Sequence, residues 1–76
     1  DKEDVIRVHD EQHKLIEEQL ELTRRIAELV REIAKNTASE EEIKEMLKEI
    51  KRLDDRSREI QDRLQKLLEE IRRKTK

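Results

Sequence analysis

Apolar residues recur three and four positions apart through two long stretches of this chain, and only Lys35-Asn36-Thr37-Ala38-Ser39 interrupts them. That spacing marks one face of an α-helix, because side chains three and four apart stack on the same side of a 3.6-residue turn. No glycine or proline is present, so neither stretch contains a residue that breaks a helix. Charged residues make up 53% of the chain and apolar residues 32%, a balance that also suits disorder, but disordered chains do not hold their few apolar residues in helical register. The expected fold class is therefore all-α, an antiparallel helical hairpin in one domain spanning 1–76. Its predicted parts are a helix over 2–36, a loop over 37–39 and a helix over 40–74.

With Val5 taken as heptad position a, the first helix places Val5, Gln12, Gln19, Ile26 and Ile33 at a, and Val8, Leu15, Leu22, Leu29 and Asn36 at d. Two further columns are mostly apolar: His9, Ile16, Thr23 and Val30 at e, and Ile6, His13, Leu20, Ala27 and Ala34 at b. Four columns span about 160° of the helix at 100° per residue, whereas a two-stranded seam needs only a and d. The second helix is narrower, with Ile43, Ile50, Ser57, Leu64 and Ile71 at a, Met46, Leu53, Ile60 and Leu67 at d, and Leu47, Asp54, Gln61 and Leu68 at e.

The connector carries its own stop and start chemistry. Asn36 tolerates the left-handed conformation that ends a helix, and Ser39 followed by Glu42 has the spacing of a capping box. Glu40, Glu41 and Glu42 open the second helix while Arg72, Arg73 and Lys74 close it, as the helix dipole favours. A loop this short forces the helices antiparallel, giving a hairpin about 50 Å long at 1.5 Å per residue. One partner helix covers only a strip, and no third element exists to cover the rest. Association is the expected activity, most simply two hairpins forming a four-helix bundle through a two-fold axis.

Polar residues inside the apolar columns bear on which copy pairs with which. With the turn near residue 37, residue n of the first helix lies opposite about residue 75 − n of the second. Gln19 and Thr23 then fall near Asp54 and Ser57, and His9, Gln12 and His13 fall near Gln61 and Gln65. A buried polar group without a partner costs about 1–3 kcal/mol, so matched heights suggest hydrogen-bonded layers that penalise wrong registers. The expected layers are a central one of Gln19, Thr23, Asp54 and Ser57 and a second, nearer the termini, of His9, Gln12, His13, Gln61 and Gln65. If assembly buries both imidazoles in neutral form, the unfolded chain binds more protons. Their contribution is then present above about pH 6.5 and lost as the pH falls below it.

His9 and His13 also have the i, i+4 spacing of a metal-binding pair. The stretch His9-Asp10-Glu11-Gln12-His13 resembles the zinc protease helix H-E-x-x-H, but Asp10 stands where that motif needs its glutamate base and no third ligand follows. The expectation is a network role, with no metal and no cofactor. No cysteine, nucleophile elbow, phosphate-binding glycine loop or aromatic residue is present, which argues against an enzyme and against base stacking. The 19 basic and 21 acidic side chains are interspersed, unlike a nucleic-acid-binding surface, and Glu17, Glu21, Arg24 and Arg25 read as a solvated face with local pairing. No apolar run exceeds two residues, so no membrane span is expected. A small-molecule substrate is not expected either, and the absence of methionine before Asp1 fits a cleaved tag.

The absence of Gly, Pro, Cys and aromatics, the near-equal helices, the Asn36-Thr37-Ala38-Ser39 connector and the paired polar layers resemble de novo designed helical hairpins that form bundles through buried hydrogen-bond networks. That resemblance implies a self-assembly module whose partner is another helical hairpin, most simply itself. The alternatives are one half of a designed heterodimer and a homotrimeric six-helix bundle with a pH-sensitive histidine layer.

Overall fold

The computed structural model describes residues 1–75 and consists of two helices, α1 (Lys2–Ala34) and α2 (Glu40–Lys74), packed side by side. They run antiparallel as one rod of 55 × 15 × 13 Å. Each helix starts on a side-chain cap. The Asp1 carboxylate accepts from the Glu3 N–H at 3.2 Å, relieving one of the donors that the first turn leaves without a partner. At α2 the capping box is complete: the Ser39 hydroxyl accepts from the Glu42 N–H and Glu42 Oε1 accepts from the Ser39 N–H, both at 3.2 Å. Those bonds from Ser39 hold the Glu42 carboxyl below the ordinary glutamate value of 4.5.

The end of α1 falls two residues before the predicted boundary. Lys35 caps the helix and donates to the Arg31 carbonyl at 3.2 Å. Asn36 then turns to φ 58°, the left-handed conformation expected of it, and its N–H reaches the Ile33 carbonyl at 3.1 Å. A left-handed residue cannot continue a right-handed ladder, so the helix stops there.

The hairpin interior is a single seam. Val8, Ile60 and Leu67 are fully buried and Leu29 nearly so, and all four occupy d. The other a and d aliphatics, Val5, Leu15, Leu22, Ile26, Ile33, Ile43, Met46, Ile50, Leu53, Leu64 and Ile71, are half-buried. Cross-helix partners follow the expected register closely: Gln19 meets Ser57, Glu18 meets Arg56, Glu11 meets Arg63 and Arg25 meets Glu49.

Candidate functional site

In an antiparallel helix pair, the g columns of both helices share one flank of the seam and the e columns share the other. The g flank is closed by ion pairs. Arg63 binds Glu11 through two nitrogens at 2.7 and 3.1 Å, Arg56 binds Glu18 at 2.7 and 2.8 Å, and Arg25 binds Glu49 at 2.9 and 3.2 Å. Towards the termini, Arg7 reaches Glu70 at 3.4 Å and Lys74 reaches Asp4 at 3.0 Å. These forked guanidinium contacts match two donors to two carboxylate oxygens. Hydrogen bonds from Arg63, Arg56 and Arg25 hold Glu11, Glu18 and Glu49 below the ordinary 4.5. Arg25, Arg56 and Arg63 shift upward for the same reason.

The ladder was not part of the sequence-based expectation, which treated Arg25 and its neighbours as a solvated face. The signal was present: with Val5 and Ile43 at a, the g columns hold Glu11, Glu18 and Arg25 opposite Arg63, Arg56 and Glu49. Opposite charges at three successive matched levels are a cross-helix pattern, which a search along one helix does not find.

The e flank is open. Ile6 is 54% exposed, Ile16 48%, Leu20 59% and Val30 51% on α1, with Leu47 at 53% and Leu68 at 38% on α2. Every one of them occupies column e of either helix or column b of α1. The columns that exceed the needs of a two-helix seam are those the hairpin leaves uncovered.

Between the flanks sits one polar node. Ser57 is buried, and its hydroxyl accepts from the Gln19 amide at 2.7 Å and from the Gln61 amide at 3.3 Å. The Gln19 carbonyl oxygen is buried with no hydrogen-bond partner among the described residues. Gln61 therefore joins the central group, one turn from Ser57 on its own helix, instead of the terminal group expected for it. Within the hairpin Gln61, Thr23 and Asp54 are exposed, and Thr23 and Asp54 make no hydrogen bond to the node among the described residues. Of the expected terminal layer, Gln12 is half-buried, while His9, His13 and Gln65 are exposed. Gln65 donates along its own helix to Glu69 at 3.4 Å. The two imidazoles meet edge to face, with centroids 4.6 Å apart.

Among the described residues, no group of three or more His, Cys, Asp and Glu is gathered as for a metal ion, and no helix is long and apolar enough to cross a membrane. Comparison with known protein families, with characterised proteins and with solved structures yields no match.

Proposed function

We propose that the hairpin is a self-assembly module: a second copy docks on the open flank and the pair forms a homodimeric four-helix bundle. One observation carries this reading, the row of half-exposed aliphatic side chains running from Ile6 to Val30 beside Leu47 and Leu68. Such a row, repeated along one side of the rod, is typical of interaction surfaces and unusual on monomers. Energetics point the same way. Burying an aliphatic side chain contributes about 1.5–3 kcal/mol, while ordering a residue costs about 1–2 kcal/mol. Within the hairpin three aliphatic side chains are fully buried and most of the seam is half-buried, so a second copy has further apolar surface to cover.

A second copy is favoured over an unrelated partner because the strip matches itself. On α2 the e column reads Leu47, Asp54, Gln61, Leu68, and on α1 Ile16 and Leu20 are flanked by His13 and Thr23 and then, further out, by Ile6 and Val30. Both patterns centre on the level of Gln19 and Ser57. A two-fold axis along the rod sets each level against itself, and one across the rod sets Leu47 against Leu68 and Asp54 against Gln61. Either way apolar largely meets apolar and polar meets polar, as an isologous interface requires. The exposed Gln61, Thr23 and Asp54 then belong to a layer shared between copies. Paired assembly of this kind is also what designed hairpins with buried polar networks are made for.

One observation favours the runner-up, a heterodimer. Near the turn the strip is bordered on both helices by basic residues, Arg24 and Arg31 on α1 and Lys44 and Lys51 on α2, and a partner with acidic borders would fit these. Sedimentation equilibrium on the purified chain separates the readings: a defined dimer supports the first, a defined trimer replaces its stoichiometry, and a folded monomer overturns self-assembly.

A further inference from the structure

We propose that His9 and His13 form a bidentate site for a late first-row divalent cation such as Ni²⁺, Cu²⁺ or Zn²⁺. Residues four apart on a helix project from the same face, the spacing at which two imidazoles bind one ion in metal-binding helices. Here the rings are already neighbours, with centroids 4.6 Å apart and planes at 69°, and both side chains are exposed. Rotation about the terminal torsion of each imidazole, which is broad and soft, brings one nitrogen from each ring towards the 2.0–2.1 Å that such an ion needs.

Asp10 and Lys14 line the same shallow hollow. Asp10 precedes His13 by one turn and offers an acceptor for an imidazole N–H, which orients a ligating histidine; Lys14 opposes the ion's charge, and its flexible stem lets the ammonium swing towards water. Two protein ligands leave the remaining coordination positions to water, which suits an exposed site and the imidazole preference of Ni²⁺ and Cu²⁺. Because the ion takes neutral imidazole, protons compete and binding weakens on acidification.

Both ligands come from one helix, so the site does not depend on assembly, although the pair lies in the open strip between Ile6 and Ile16. The experiment is calorimetric titration with Ni²⁺ near pH 7.5, on the wild-type chain and on the Leu20→Glu variant, in which the strip is kept uncovered. One ion per chain is expected in at least one of the two backgrounds, with affinity at least tenfold weaker after either His9→Ala or His13→Ala. Helix melting should rise in Ni²⁺ only where both histidines are present. Binding that survives both substitutions, or no histidine-dependent binding in either background, overturns the site. Sedimentation of the same samples in a chelator scores self-assembly separately.

Discussion

The two flanks of this hairpin are built from the same heptads and do opposite things. Along the g flank, Arg63, Arg56 and Arg25 reach across to Glu11, Glu18 and Glu49, which pairs each charge, and among the described residues no large aliphatic side chain stands exposed there. Along the e flank, six large aliphatic side chains stand between 38% and 59% exposed, with only Thr23, Asp54, Gln61 and the two histidines set among them. Charge closes one side and hydrophobicity opens the other, and the proposed assembly uses the open side. A bundle that used the ionic flank would have to bury that ladder, at a desolvation cost that isolated surface pairs do not recover.

The largest expected effect comes from putting a charge into the open flank. Leu20→Glu should weaken self-association at least roughly 100-fold, because each copy would bury an unpaired carboxylate; sedimentation that still returns the wild-type mass would break the contrast between flanks. Neighbouring leucines sharpen it. Leu67 is fully buried in the seam and Leu68 lies on the open side. Leu67→Ala should cost about 2–5 kcal/mol in urea unfolding at every protein concentration, whereas Leu68→Ala should lower the midpoint mainly at concentrations where the dimer is populated. Equal behaviour of the two variants would remove the distinction.

The node between the flanks gives a smaller effect. Ser57→Ala takes the acceptor from both Gln19 and Gln61 and should lower stability by about 1–3 kcal/mol, read by chemical denaturation; unchanged stability would mean the node adds nothing. Least sensitive is the ionic ladder, which faces water. Folded Glu11, Glu18 and Glu49 titrate below 4.5, so between the folded and unfolded values the unfolded chain binds more protons. The ladder's contribution is full above pH 4.5 and lost as the pH falls through the folded values. Melting curves at pH 6 and pH 3, and at low and high salt, should show a modest loss in acid and in salt. Melting temperatures unmoved by either would mean the ladder carries no stability.

Most of the fold was legible because it rests on local rules. The two helices follow from period and the absence of breakers, the turn from Asn36 at φ 58°, and the start of α2 from the Ser39 and Glu42 exchange. The site was legible only in part, because its members depend on which side chains face each other. Gln19 and Ser57 were found from register alone. Register across the seam sets Gln61 with the terminal group, whereas within the hairpin its bond to Ser57 runs along α2. The ionic ladder is a pattern between helices, invisible in the charge spacing of either one, and the Asp1 cap rests on a single bond to Glu3 without the paired spacing of Ser39 and Glu42.

The central claim is that the open flank is covered in solution, and methyl NMR with a soluble paramagnetic agent tests it side chain by side chain. The methyl groups of Ile6, Leu20, Val30 and Leu47 should be shielded to the same degree as those of Ile60 and Leu67. Relaxation of the strip methyls several-fold faster than the seam methyls, in a sample that remains folded at millimolar concentration, would contradict it.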